Sequence, residues 1–351
     1  MQPVFDGHND LLLRLFQAPD RRAEIFLTGE GKGHLDLPRM RAGGFAGGMF
    51  AIYVPSPSEP GYDYLSAMKN PPYDLPLPDL IGADQALPVA MAQAGLFHWM
   101  QRASQGGFRA CRTVAEIRAS VAAGAVAGVL HIEGAEAIGP DLDALHVLYA
   151  AGLRSLGPVW SRPTIHGHGV PFRFPGDPDT GPGLTPAGEA LVRECNGLGV
   201  VVDLSHLNAA GFRDVMRVST APLVATHSNA HAISPGTRNL TDWQLDAIAE
   251  SGGMVGLNFA ACFLRPDGSE NADTGWEVVM RHLDHLIGRL GEDHVGFGSD
   301  FDGAMIPAAI GDVAGLPRLI DACLAHGYGQ PLVEKLAMEN WLRVLGRIWG
   351  A

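Results

Sequence analysis

Eight short runs rich in Val, Ile, Leu and Phe recur along the chain with helix-length stretches between most of them, and this alternation restricts the fold more than any other feature. The runs are Val4-Phe5, Gly48 to Val54, Gly128 to Ile132, Leu153 to Leu156, Val200 to Asp203, Leu223 to Ala225, Met254 to Leu257 and Val295 to Phe297. Ala- and Leu-rich stretches with helical periodicity lie between them, among them Thr113 to Ala123, Leu142 to Ala151, Ala187 to Gly197, Ala209 to Val218, Asp242 to Ser251 and Trp276 to Leu290. Some open on a cap signal, Thr113 with Glu116 or Thr241 with Gln244, where two side chains can satisfy the first free N–H groups of a helix. Strands alternating with helices predict parallel βαβ units, and eight such units can close an α/β, (βα)8 TIM-type barrel. An open doubly wound sheet is the alternative.

A chain of 351 residues, 46% of them hydrophobic, can bury a barrel-sized core, and the alternation continues without a second start, so we expect a single domain over residues 1–351. Two stretches fall outside the repeat. One runs over about 55–88, with many prolines and Tyr62, Tyr64 and Tyr73; the other, 158–186, is dense in Pro and Gly. Both read as long loops over one face, and Leu332 to Trp349 reads as a closing helix. With 25 basic against 38 acidic residues, a net charge of −13 argues against nucleic acid or an anionic membrane and for a small-molecule partner. Four widely spaced cysteines, Cys111, Cys195, Cys262 and Cys323, suggest core filling in a reducing compartment and neither a thiolate zinc site nor a disulfide framework. An acidic group already at Asp6 argues against a signal peptide, and no apolar run approaches the ~18 residues of a membrane span. A cytoplasmic protein is expected; a homo-oligomer is compatible with the sequence.

Five polar clusters stand where the apolar runs stop: Asp6-Gly7-His8-Asn9-Asp10, His131-Ile132-Glu133-Gly134, Asp203-Leu204-Ser205-His206, Thr226-His227-Ser228-Asn229 and Gly298-Ser299-Asp300-Phe301-Asp302-Gly303. Charged groups there pay desolvation unless paired or bound to metal. In a closed barrel they follow strands one, three, five, six and eight, on the catalytic face. His8 and Asp10 point to one side of an extended chain and can contact one divalent ion, while a turn with solvated side chains is the plainer reading. Glu133, with no basic neighbour in sequence, can bridge two cations or else pair with Arg154. His131, one layer deeper, reads as a hydrogen-bonded core histidine. His206 and His227 end consecutive strands ~4.8 Å apart and can share an ion. Asp300 and Asp302 are not separable by spacing, but Asp302-Gly303 is explained as a turn, so the chemistry falls to Asp300. Arg238 can clamp a substrate carboxylate, or form a surface salt bridge with Asp242.

Three histidines, two or three carboxylates and no cysteine favour zinc or a similar divalent ion in an open site. Two ions sharing a carboxylate would sit ~3.5–4 Å apart and lower the pKa of a shared water toward ~7, giving a hydroxide at neutral pH. Asp300 would take the water proton and return it to a leaving amine.

The motifs DGHND, IEG, DLSH, HSNA, RN and SDFDG, in this order from Asp6 to the segment Glu339 to Val344, resemble the membrane dipeptidase (renal dipeptidase) family, the M19 metallopeptidases within the amidohydrolase-like barrels. The resemblance implies a barrel with a binuclear zinc site that hydrolyses dipeptides, often tolerating a D-residue at the C-terminal position. It implies His8 and Asp10 as ligands of one ion, His206 and His227 of the other, Glu133 as bridge, Asp300 as proton shuttle and Arg238 as the group holding the substrate carboxylate. Mammalian members carry a substrate-polarising histidine after the fourth strand, where this chain has Trp160. His166 or His168, in the loop that follows, are the candidates to replace it, so the substrate-contact set is Arg238, Trp160 and His166. Hydrolysis of N-acyl amino acids, lactams or esters on the same residues is the competing enzyme reading. A sugar-phosphate isomerase is disfavoured because Leu257 to Ala261 contains no glycine-rich phosphate cradle, and a structural metal because such sites draw four ligands from nearby sequence.

Overall fold

The protein is described here by a computed structural model covering residues 1–56 and 64–350, with the backbone alone for 64 and 65. Eight parallel strands form the barrel: β1 (Val4–Asn9), β2 (Phe45–Tyr53), β3 (Val126–Glu133), β4 (Leu153–Gly157), β5 (Val201–Val202), β6 (Val224–Ala225), β7 (Met254–Asn258) and β8 (Val295–Gly298). Their order is β5-β4-β3-β2-β1-β8-β7-β6. The remaining junction, β5 to β6, is closed by a parallel bridge between Asp203 and Val224 and by the Leu204 N–H donating to the Val224 carbonyl at 2.8 Å. Each of the eight apolar runs became one of these strands. A further short strand, Phe108–Ala110, pairs with β3 outside the ring.

Strand periodicity divides the core in two. In β3, Ala127 and Val129 face the barrel interior with Phe5, Met49, Val201 and Met254, while Leu130 and Ile132 join the larger layer between strands and helices. His131 and Glu133 continue the inward series toward the carboxyl end, which aims the glutamate at the barrel axis. The expected helix caps are present: Thr113 accepts from the Glu116 N–H at 3.2 Å, and Thr241 with Gln244 forms a capping box.

The floor of the barrel is a single side chain. Trp341 is fully buried, and its Nε1 donates to the Phe297 carbonyl at 2.9 Å. Glycines on three strands make room for the indole: a Cβ at Gly7, Gly256 or Gly296 would lie 2.4, 2.9 or 2.8 Å from it. The closing segment that delivers Trp341 is a helix Gln330–Glu334, a π-helical turn Lys335–Glu339 and a helix Asn340–Trp349.

Over the opposite end the two long loops are stitched together, Tyr73–Asp74 pairing antiparallel with Arg173–Phe174. Tyr62 lies outside the described residues. The first loop ends earlier than expected, because a helix Ala83–Ala103 begins within 55–88 and contains Pro88. Pro88 is exposed, so water can satisfy the carbonyl it leaves without a partner, and the alanine-rich context carries the helix through. Helices Leu11–Gln17 and Leu316–His326 were also not marked by the sequence patterns.

His282, on the helix Trp276–Leu290, braces the mouth from outside. Its Nδ1 accepts from the Ala230 N–H at 3.2 Å, and its Nε2 donates to the Leu264 carbonyl at 2.8 Å. Burial pushes this imidazole down from 6.5 to about 4. A depressed histidine contributes stability that is present above its unfolded value and is lost as pH falls through the folded one. We expect up to about 3 kcal/mol of unfolding free energy to disappear between pH 6.5 and 4 on this account. Denaturant titrations of wild type and His282→Asn across that range check it: the two slopes against pH should differ, and equal slopes refute the assignment.

Candidate metal centre

The groups at the strand ends converge. His8 is the last residue but one of β1 and Asp10 follows the strand; Glu133 ends β3; His206 and His227 lie in the exits of β5 and β6; Asp300 lies in the exit of β8. All are buried except Asp300, which is partly so. The two oxygens of Glu133 face different partners. Oε1 lies 3.0 Å from His206 Nε2 and 3.2 Å from His227 Nε2, whereas Oε2 lies 3.8 Å from His8 Nε2, itself 3.3 Å from Asp10 Oδ2. The ligand atoms of His8, Glu133 and His227 lie within 4.8 Å of one another, as do those of His8, Asp10 and Asp300.

Hydrogen bonds behind the cluster fix which atoms face inward. Thr226 Oγ1 donates its one proton to Asp203 Oδ2 at 2.6 Å, so toward His227 Nδ1, at 2.8 Å, it can only accept. His227 Nδ1 is therefore the protonated nitrogen, and its Nε2 presents a bare lone pair. That lone pair faces a carboxylate oxygen and, at 3.2 Å, the Nε2 of His206, whose Nδ1 is held by Ser161 Oγ at 2.8 Å. The bare lone pair of His227 faces a buried carboxylate, and His8 Nε2 and Glu133 Oε1 have no hydrogen-bond partner, which leaves lone pairs in a buried space for a cation to take up. The residues fit divalent ions on this ground and by donor type, nitrogen and oxygen without sulfur.

The electrostatics agree. Burial is the largest influence on His8 and lowers its pKa, yet Glu133, Asp10 and Asp300 outweigh it and hold the ring up to about 10. A proton there takes the place a cation would fill. Burial pushes Glu133 and Asp300 upward, and pushes His206 and His227 well below their ordinary range, with Arg238 and His8 adding to the fall.

The cluster opens into a cavity of about 730 Å³, within the range of small-molecule sites, whose lining includes Asp10, Glu133, His206 and Asp300. Trp160 lines it too, its ring 5.2 Å from that of Tyr53, 5.5 Å from Phe172 and 5.8 Å from His206. Met68, Pro76 to Asp79 and Phe172 bring the two long loops into the wall. His166 is elsewhere: its Nε2 is hydrogen-bonded to the Ile138 carbonyl at 2.9 Å and it does not line the cavity. His168, half-buried, faces the Gly183 carbonyl at 3.4 Å.

Arg238 is buried against Phe263, a residue of the cavity lining, its guanidinium carbon 5.7 Å from that ring. Its Nη1 donates to Ser228 Oγ and its Nη2 to the His227 carbonyl, both at 2.8 Å, and its Nε has no partner. It does not pair with Asp242, which meets His285 and Arg289, nor does Arg154 reach Glu133, its Nη1 being spent on the Tyr149 and Leu153 carbonyls. His131 is a buried core histidine bonded to Ser155 Oγ at 2.9 Å.

The sequence reading missed Ser161, Thr226 and Asp203 as orienting groups and Asn258, whose Nδ2 donates to Asp300 Oδ2 at 2.9 Å. Thr226 and Asp203 stood inside the polar clusters already marked, and Asn258 ends β7 on the inward side. Nothing in the sequence announces the buried ion pair of Arg162 with Glu136, at 2.6 Å beneath Tyr53 and Trp160.

A parallel barrel with histidines and carboxylates converging at its carboxyl-terminal mouth is a metal-dependent hydrolase in architecture. Residues 1–349 match the profile of the family described as membrane dipeptidase (peptidase family M19), and the chain belongs to that family. It is thus a peptide-bond hydrolase. A metallopeptidase from Rhodobacter sphaeroides, solved with a phosphinate mimic of the dipeptide L-Ala-D-Ala, is 65% identical with a TM-score of 0.97, and 99% of each chain is covered. A probable dipeptidase from Pseudomonas aeruginosa, 22% identical over 100% of this chain and 96% of its own, shares the fold at a TM-score of 0.82. An uncharacterised protein encoded in the pqqA 5′ region of Klebsiella pneumoniae is 50% identical over 246 residues, 70% of this chain and 91% of the relative.

If Thr226 sets the face that His227 presents, Thr226→Val should weaken divalent-metal affinity about 10- to 100-fold with little change in fold. Competition against a chelator measures it; an unchanged affinity would remove Thr226 from the centre.

Proposed function

We propose that the protein cleaves dipeptides with two divalent ions, zinc by donor chemistry, His8 and Asp10 holding one, His206 and His227 the other, and Glu133 joining them. The observation that carries this is the division of the Glu133 oxygens, one toward each histidine set. Ions bound there would polarise the scissile carbonyl and lower the pKa of water toward about 7.

The chain's own groups do the rest. Asp300 is tethered through Oδ2 to Asn258, and its Oδ1 is the oxygen near Gly303. Burial raises its pKa, which suits a carboxylate that accepts the proton of the attacking water and delivers it to the departing amine. Arg238, with its unpartnered Nε, is the cation toward which the substrate's terminal carboxylate would turn. Trp160, Tyr53 and Phe172 wall the cavity beside His206 and keep water from the reacting carbonyl. A D-residue at the C-terminal position is accepted in this reading, in keeping with the ligand of the Rhodobacter relative. Four buried free thiols favour a reducing, cytoplasmic setting, and among the described residues no helix is long and apolar enough to cross a membrane.

Active protein should carry about two ions per chain by elemental analysis, and one ion at full activity would end the two-ion reading. Arg238→Met should raise KM for a dipeptide about 10- to 100-fold, as loss of a charge-assisted hydrogen bond does, and an unchanged KM would free Arg238 of this role. A panel of L,L and L,D dipeptides beside their N-acetylated forms separates a dipeptidase, which requires the free amine, from a hydrolase of N-acyl amino acids.

A further inference from the structure

Asp302, left by the sequence as a turn residue, has a second task. Its side chain is 1% exposed and accepts from Arg14 Nη1 at 3.1 and 3.3 Å and from the His34 N–H; its own N–H donates to His34 Nδ1 at 2.9 Å. Arg14 sits on the helix that starts directly after Asp10, and its N–H donates to the Asp10 carbonyl at 3.3 Å. Its guanidinium is held on every side: Nη1 also reaches the Leu35 carbonyl at 3.1 Å, and Nη2 reaches Glu30 Oε1 at 2.8 Å and the Lys32 carbonyl at 2.6 Å. The loop closes over the pair so tightly that a Cβ at Gly33 would lie 2.3 Å from Arg14 and 2.6 Å from Asp302 Oδ1.

This clamp grips the segment that carries Asp300. Asp300 and Asp302 both take left-handed backbone, at φ 59° and 67°, a conformation uncommon for residues other than glycine and best tolerated among them by Asn and Asp. The same segment is pinned to β1 by the Asp300 N–H on the His8 carbonyl at 3.1 Å and by the Asp10 N–H on the Phe301 carbonyl at 2.9 Å. Clearance is small, since a Cβ at Gly303 would lie 2.1 Å from Asp10 Oδ2 and 2.5 Å from Asp300 Oδ1.

We propose that Arg14, acting through Asp302, is a positioning residue for Asp300: it neutralises a buried carboxylate beside the centre and locks the left-handed turn that sets Asp300 against Asn258 and Asp10. The proposal rests on the reading of Asp300 as proton carrier. Catalytic geometry is sensitive to shifts of about 1 Å, each costing on the order of 100-fold. Arg14→Met and Asp302→Asn should therefore lower kcat for a dipeptide about 10- to 100-fold, with KM within about twofold and metal content equal to the parent's. Arg14→Lys should recover part of the loss. Asp302→Asn is isosteric and keeps the test open if Arg14→Met does not fold. The deciding measurement repeats both substitutions in an Asp300→Asn background, where they should cost nothing further. A full additional loss there, a kcat unchanged in the single variants, or a loss matched by lost metal overturns the proposal. Full activity of Asp300→Asn alone would instead overturn the proton-carrier reading.

Discussion

The structure is organised around one electrostatic problem: three imidazoles and the carboxylate of Glu133 buried face to face at the mouth of a barrel. Glu133 offers one oxygen to His206 and His227 and the other to His8, all within 3.0 to 3.8 Å. Without a cation or a proton among them the carboxylates and lone pairs have nothing to offset their burial. Everything around it works to hold the groups in place. Thr226 and Ser161 fix the imidazole tautomers or orientations, Asn258 tethers Asp300, and the Asp302 turn is locked from outside. Three of the five non-glycine residues with left-handed backbone among the described residues, His206, Asp300 and Asp302, stand in the strand exits that build this mouth. Asp and His are among the residues that tolerate this backbone best, so the exits turn sharply without needing glycine at those positions.

The opposite end is packed apolar. Trp341 fills the barrel floor by entering a space that three glycines leave open, so the strands close around an indole and not around a void. Above it the inward series of β3 climbs from Ala127 through Val129 and His131 to Glu133, passing from apolar packing to chemistry over four residues of one strand.

Much of this was legible in the sequence, and the reason is periodicity. Eight β-type runs between helical stretches leave few topologies, and their ends coincide with His8, Glu133, His206, His227 and Asp300, which the fold brings together. What was not legible depended on contacts between distant segments. The helix Ala83–Ala103 was hidden by Pro88, whose cost is borne because the carbonyl it frees faces water and the rest of the helix is rich in alanine. Thr226 and Ser161 read as ordinary hydroxyls until the ring nitrogens beside them are seen. His166 looked available because its loop is rich in glycine, yet it is turned to a backbone carbonyl behind the wall. Pairings such as Arg14 with Asp302, or Arg162 with Glu136, leave no local pattern at all.

The stitch between the two long loops has a consequence for how such an enzyme changes over time. The roof is joined by main-chain pairing of Tyr73–Asp74 with Arg173–Phe174 and by the Leu75 N–H on the Phe172 carbonyl at 2.9 Å. Backbone bonds do not depend on side-chain identity, so a roof residue that faces the cavity without packing on the histidines, such as Leu77, can change while the pairing that joins the roof is kept. Selection can therefore retune which side chains are admitted, residue by residue, without reopening the balance of charge that the hydrolytic centre requires.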